Sequence, residues 1–512
     1  MKIIDVIVRS SLAVSLSVAV ACVQQDDQPA PEVGTSFQGL NAQLAHGRDV
    51  WFKNTYGGEK FFTFLANHPD PSQRIKIGFE AVVNTPRAVR FDVWGVINDP
   101  DCTADPAGGP DICADPNATG IIGIRKFPGP GGSTMYGAAC ASCHAGFDPI
   151  HPPADPNEPT WANIHPSIGN QYLKFSALFA ANLDPTDVRG LMFAAWPDGA
   201  VDTTALFSDN IMNPGVVTAF WEHDDRNKFD VGMDQPQLRN GQGGEDDVGG
   251  QLAALRVYTN IGVCFAECTA PAAATGTELD VDACRQNCAD FPPDQDMDDL
   301  VAFLDSIEAP KYPERPRHLF LYWIGRWAFQ KDCVSCHDNT GDLRSVLSND
   351  EVNPLVADPA NATNACRALT TNWEAGKLWG QFSSDVYKAR AAAGNKGYRT
   401  MPLGGIWATE PFMHNQSIGE WAPADASVHE RRDAYFASMQ DLLSTERAPK
   451  INTLPFAVGP FPAGTPLAYL FSRDPATGQL LCDDVVENHG HYFGSELPGF
   501  MKFALSYWLL FQ

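Results

Sequence analysis

Apolar positions cluster at the two ends of the chain and around a few short motifs, with long polar stretches between. Leu12 to Ala21 is a run of small and aliphatic side chains that ends at Cys22. It is too short to span a bilayer. With Lys2 and Arg9 ahead of it, the run predicts an export signal over residues 1–21. Arg317 to Asp332 carries aromatic and aliphatic residues on a helical period, and Pro316 stands just ahead as a start signal. Phe500 to Phe511 is a second apolar helical stretch, after Pro498-Gly499, and reads as a helix that closes over the first. Leu40 to Phe52 is the upstream candidate for a matching helix, with residues 54–135 as an insertion. Phe127 to Gly137, rich in glycine with two prolines, reads as a loop. The 43 glycines and 39 prolines predict short helices joined by long loops. Apart from a doubled cysteine motif, no internal repeat stands out.

Composition narrows the choice of partner. The chain has 512 residues, and 44% of them are hydrophobic, so a disordered chain is excluded. Its 62 acidic and 36 basic residues give a net charge of −26, which argues against nucleic acid and against a basic grip on anionic lipid. A partner protein is expected to present a cationic or neutral surface. Ala19-Val20-Ala21-Cys22 resembles a lipobox, in which Cys22 would carry a lipid anchor; ordinary cleavage near Ala21 is the alternative. Either way the mature protein is expected outside the cytoplasm, in a bacterial periplasm or tethered to the outer membrane.

The 13 cysteines carry the chemistry. Cys140-Ala-Ser-Cys143-His144 and Cys333-Val-Ser-Cys336-His337 share the spacing of covalent c-type haem attachment. Two thiols at that spacing reach both vinyl groups of one porphyrin, and the adjacent histidine falls beneath the iron. A thioredoxin-like pair would not need the histidine, and a zinc site would want a further close pair. The expected cofactors are therefore two covalently bound haem c groups, with His144 and His337 as proximal ligands. The fold class follows: mainly α, with two cytochrome c-like haem domains, long loops and an inserted disulfide-linked helical hairpin. The hairpin comes from twin Cys-x3-Cys pairs, which place each pair on one helix face. Packed antiparallel, they set Cys264 opposite Cys288 and Cys268 opposite Cys284, with zinc as the alternative. Cys102 and Cys113 close a loop, and Cys366 and Cys482 remain for each other.

Tyr398-Arg-Thr-Met-Pro-Leu-Gly-Gly-Ile-Trp-Ala-Thr-Glu-Pro-Phe-Met-His414-Asn-Gln-Ser417 is the most specific stretch outside the cysteine motifs. It resembles the signature of the di-haem cytochrome c peroxidase/MauG superfamily. It is most similar to the rubber oxygenase branch, whose pattern runs roughly Tyr-Lys-x-Arg-Pro-Leu-Asn-Gly-Ile-Trp-Ala-Thr-Ala-Pro-(Tyr/Phe)-Leu-His-Asn-Gly-Ser. Met401, Gly404 and Gln416 depart from it. Gly490-His491-Tyr-Phe-Gly494 resembles the same branch's Gly-His-x-Phe-Gly. The resemblance covers about residues 315–512 and implies that His491 is the sixth ligand of the C-terminal haem. His489 is its rival, since both point the same way in an extended segment. His414 is read as part of a loop beside the haem.

At the first haem, His165 is a distal ligand, a distal acid–base or a loop histidine, and Trp161 is a possible distal residue. Trp327 or Trp161 would relay electrons or simply pack in the core. His151 and His223 are read as surface or capping residues. Asn98 to Asp101 and Asp224 to Asp230 are possible Ca2+ loops; related di-haem enzymes bind calcium between the haems. The expected organisation is a signal (1–21), an N-terminal region with linker (22–130), a first haem domain (131–260), the cysteine hairpin (261–292) and a second haem domain (293–512). The leading function is an exported oxidoreductase in which the C-terminal haem relays electrons and the N-terminal haem reacts with H2O2 or O2. The alternatives are a pure electron carrier and a rubber oxygenase-like dioxygenase.

Overall fold

The computed structural model describes mainly residues 42–68, 74–202, 293–334, 403–447, 452–473 and 488–512. Short pieces are described at 71, 214–217, 219, 238–239, 242–243, 337, 347–348, 397–398, 477–480 and 486. The described chain is largely helical, with small two-stranded sheets and one disulfide. Its helices are α1 (Ala42–Lys53), α2 (Gly58–Ala66), α3 (Phe79–Asn84), α4 (Arg87–Trp94), α5 (Ala141–His144), α6 (Phe175–Ala180), α7 (Arg189–Phe193), α8 (Asp294–Asp305), α9 (Leu319–Asp332), α10 (Val428–Leu442), α11 (Ala468–Phe471) and α12 (Gly499–Leu509). Among the described residues no helix is long and apolar enough to cross a membrane.

Local chemistry explains the helix boundaries. Pro293 and Pro498 stand immediately before α8 and α12. Ser427 caps α10 in a capping box with Glu430, each side chain bonding the other's backbone N–H. Ile124–Pro128 and Thr134–Ala138 pair antiparallel, so the stretch expected as a loop before the first cysteine motif is a β-hairpin. Four of its glycines and prolines fall in the turn at 129–132, while Pro128 ends one strand and Gly137 lies in the other.

Two helix crossings organise the core. α1 packs on α8, and α9 packs on α12. Each crossing closes on a glycine. A Cβ on Gly47 would lie 1.9 Å from the Asp299 carbonyl oxygen and 2.8 Å from Phe303 Cβ. A Cβ on Gly325 would lie 2.0 Å from the Ala504 carbonyl oxygen and 2.6 Å from Trp508 Cβ. Only glycine lets the backbones approach this closely. The neighbours correspond as well: Gly47-Arg-Asp-Val-Trp-Phe-Lys53 on α1 matches Gly325-Arg-Trp-Ala-Phe-Gln-Lys331 on α9. Their partners share a Leu-x-x-aromatic-Leu face, Leu300/Phe303/Leu304 and Leu505/Trp508/Leu509, all buried. This is an internal repeat where none was expected. It escapes a search of the sequence because its two parts are short and separated by inserts of unequal length.

The pairing also places α8, which falls within the expected 293–512 unit, against the N-terminal helix. Polar contacts fasten it there: His46 Nδ1 lies 2.7 Å from Asp299 Oδ2, and the Tyr56 hydroxyl donates to Asp296 at 2.8 Å. One apolar cluster joins both crossings and is packed by Cys140 and Cys333. A second core gathers Val82, Leu178, Phe193 and Trp196 with Leu454, Leu467 and Val486.

Candidate haem sites

At the first motif the hairpin leads the chain into the single turn α5. The His144 amide donates to the Cys140 carbonyl at 3.1 Å, so one turn carries both cysteines and the histidine. Partners across the turn fix it. The Asn170 and Gly169 amides donate to the Cys143 and His144 carbonyls at 2.8 Å each. A Cβ on Gly123 would meet the Ser142 amide nitrogen at 2.2 Å, in a left-handed backbone suited to glycine. Cys140 and Cys143 are thiols, and burial pushes the Cys140 thiol up to about 12 and raises Cys143 as well. Such thiols are held neutral, and nothing here activates them as a redox pair. The His144 ring lies on Trp51, with centroids 5.6 Å apart.

His165 is buried beside this turn, its strand paired with Gly146. Its Nδ1 accepts from the Ser167 amide at 3.2 Å, and its ring also bonds the Glu308 backbone. Burial pulls it down to about 4, against an opposing pull from Asp148, so it is neutral. Of the three roles open to it, these bonds describe a histidine that joins the 164–167 segment to the chain after α8. Trp161 stands edge-on to Phe52 at 5.5 Å and donates to Asp101 at 2.7 Å, with the Arg48 guanidinium over its ring. Trp327 is 54% exposed, so it is not a core residue. His151 is half-exposed near Asp148.

At the second motif, α9 delivers Cys333 at its C-terminal end. The His337 amide donates to the Cys333 carbonyl at 2.9 Å, the same turn as at Cys140. Cys336 lies outside the described residues. The His337 and His491 rings lie against each other, with centroids 6.2 Å apart and planes at 72°. A histidine nitrogen lies about 2.0–2.1 Å from a bound metal, and roughly 1.1 Å more reaches the ring centre, so two rings trans on one metal have centroids about 6.2–6.4 Å apart. The observed gap fits one iron. His491 Nδ1 is buried without a hydrogen-bond partner, and burial, His337 and Arg447 together pull the ring down to about 4. A neutral imidazole is the form that binds metal. Cys333, His337 and His491 thus come together at one place, and their chemistry is that of a haem c site with two histidine ligands.

The turn that presents His491 is not extended, contrary to the expectation. Gly490 and His491 have φ of 80° and 50°, and this left-handed pair breaks the alternation that would point 489 and 491 together. His489 turns instead toward Tyr492, at 3.5 Å from its hydroxyl. Arg447 clamps the turn, donating to the Asn488 and Gly490 carbonyls at 2.9 and 2.7 Å. Its guanidinium also covers Tyr492 at 4.2 Å. Arg447 belongs to the second site yet carries no motif of its own.

The 410–418 stretch is a loop, as expected, closed by a bridge between Phe412 and Ile418. Its His414 carbonyl accepts from the Val216 amide at 2.6 Å, which joins the loop to the first half. Glu410 in this loop is fully buried and was missed from sequence. The signal was the alanine that the resembled pattern carries at that position.

Cys102 and Cys113 are joined as expected. Cys22, Cys264, Cys268, Cys284, Cys288, Cys366 and Cys482 lie outside the described residues, as do His223 and Asp224 to Asp230. Asn98 spends its amide on the protein itself, donating to Arg87 and Asn157 carbonyls and accepting from Arg90. Among the described residues no group of three or more His, Cys, Asp or Glu is arranged to hold a metal ion. No protein-family model matches the chain, and no curated protein matches it in sequence.

Proposed function

We propose that the protein is an exported di-haem c-type cytochrome, an oxidoreductase of the di-haem peroxidase/MauG type nearest the rubber oxygenase branch. The observation that carries this reading is the pair His337 and His491, set at the spacing of one iron beside a Cys-x-x-Cys-His turn. The doubled glycine crossing, each copy joined to such a turn, supports two cytochrome c-like domains. Cys140 and Cys143 would hold one porphyrin by thioether bonds, with His144 as its protein ligand. Cys333 and Cys336 would hold the other, with His337 and His491 as its ligands.

When bound, haem supplies one-electron chemistry and, where a coordination position is open, a site for peroxide or O2. The chain's residues divide that chemistry between the halves. Two histidines would close the second site and suit it to holding and passing an electron. Arg447 keeps the 488–492 turn in place and so keeps His491 in register. At the first site the His144 ring rests on Trp51, while His165 is hydrogen-bonded elsewhere, which leaves substrate chemistry to this half. The electron donor or acceptor is a protein with a cationic or neutral surface.

The test is His491→Ala in the purified holoprotein, followed by electron paramagnetic resonance and haemochrome spectra. Haem content should stay at two per chain while one low-spin signal gives way to a high-spin or water-bound one. An unchanged pair of signals would remove His491 as a ligand. A colourless wild-type protein would remove the whole reading.

A further inference from the structure

Glu410 is 0% exposed, and neither carboxylate oxygen has a hydrogen-bond partner on another residue. A buried, unpaired carboxylate is costly, by several kcal/mol or more when ionised. The groups that act on it come from two elements. α10 contributes Arg431 and Tyr435, and the segment after the first motif contributes Tyr172. None of them satisfies it. Tyr435 donates its hydroxyl to the Ser506 carbonyl at 2.9 Å, and Tyr172 donates to the Ala422 carbonyl at 2.7 Å. Arg431, itself 2% exposed, spends its Nη groups on the Ala424 carbonyl and the Tyr172 hydroxyl, and its Nε has no partner.

The place matters as much as the isolation. Trp407, Ala408 and Phe412 flank Glu410 and belong to the apolar cluster that Cys140 and Cys333 pack against. Tyr172 lies two residues from Asn170, whose amide binds the Cys143 carbonyl. Glu410 thus sits beside the apolar core against which both motifs pack. An electron held at either motif would add negative charge beside that core, and in low dielectric such charge raises the affinity of a nearby carboxylate for a proton.

We propose that Glu410 is the proton-binding group coupled to reduction of the haem pair. It rests on the di-haem reading. The step balances: the donor protein gives one electron, one Fe(III) becomes Fe(II), and the ionised carboxylate takes one proton from solvent. Reoxidation returns both. Burial pushes Glu410 up to about 8, and the residue acts as a positioning group for charge, not as one that touches substrate. Below that pH it is protonated in both redox states, and no proton moves. Above it, the oxidised protein holds the carboxylate and reduction protonates it.

The measurement is a redox titration of the holoprotein from pH 6 to 10, wild type against Glu410→Gln. In the wild type the potential of at least one haem should be level below about pH 8 and fall above it. The fall is at most about 59 mV per tenfold change in proton activity for one electron. Glu410→Gln should flatten it. Reduced-minus-oxidised infrared spectra of the wild type at pH 9 give a second readout that needs no variant: reduction should gain the carbonyl stretch of a protonated carboxyl and lose carboxylate bands. Equal pH slopes in both proteins, or no carboxyl band, would overturn the role of Glu410 while leaving the haems intact. A protein without haem would overturn both readings at once.

Discussion

At the N-terminal crossing, residues 54–139 intervene between the glycine helix and its cysteine motif, and a β-hairpin brings the chain back to it. At the C-terminal crossing, α9 runs directly into Cys333. The packing is nonetheless the same: a glycine against a carbonyl, an aromatic one turn further along the partner helix, and a Cys-x-x-Cys-His turn nearby. What differs is what meets the motif histidine: His337 meets a histidine held by a clamped left-handed turn, whereas His144 lies on Trp51 of the crossing helix α1 itself. A crossing can therefore be duplicated and its insert lengthened without loss of the packing. The 488–492 turn, distant in sequence from the second motif, supplies the histidine there.

The largest break in this comparison comes from the thiols. Replacing Cys140 and Cys143 together by Ser should leave one covalent haem per chain, with the histidine-pair spectrum of the second site retained. Replacing Cys333 and Cys336 should leave one haem and abolish that spectrum. Haemochrome content with electron paramagnetic resonance separates the two. Loss of both signals from either variant would mean that the sites are not independent.

The crossings themselves come next. Gly47→Ala and Gly325→Ala each press a Cβ onto a backbone carbonyl that has no side chain to swing away. Overpacking of this kind costs about 1–3 kcal/mol and sometimes more. Thermal unfolding of the holoprotein should show a drop in Tm for each, of similar size. A silent Gly47→Ala would show that the N-terminal crossing is looser than its counterpart, and the likeness between the halves would be confined to sequence.

How much of this was legible in the chain depends on the range of the interaction. The α9 and α12 helices were readable because 3.6-residue periodicity and a leading proline are local. The cysteine motifs were readable because their chemistry fixes their spacing. The Gly-Arg repeat was invisible because glycine at a crossing has meaning only opposite its partner carbonyl, and Asp299 lies far along the chain from Gly47. The choice between His489 and His491 could not be made from alternation, since alternation holds for extended backbone and the turn is left-handed. Arg447 and Glu410 were missed for the same reason: one acts through carbonyls distant in sequence, and the other is singled out by the absence of partners. The hairpin before Cys140 was hidden by its turn, whose glycines and prolines outweighed the strands beside them.

The smallest expected effect tests whether His165 holds the first half together. Its ring bonds the 167 amide and the Glu308 backbone, which links the strand beside the first motif to the segment that follows α8. Folding lowers its proton affinity, to about 4 against 6.5 in the unfolded chain. The unfolded state therefore binds the extra proton as the pH falls through that window, and the stability contributed above pH 6.5 is lost toward pH 4. At pH 5.5 the loss is about 1.4 kcal/mol. His165→Asn gives up bonds at every pH but cannot take up the proton. Its unfolding curve should then lie below the wild type at pH 7.5 and converge on it as the pH falls to 5. Denaturant titrations of the two holoproteins at those pH values measure this, and a gap that stays constant across them would show that His165 is not buried in its neutral form.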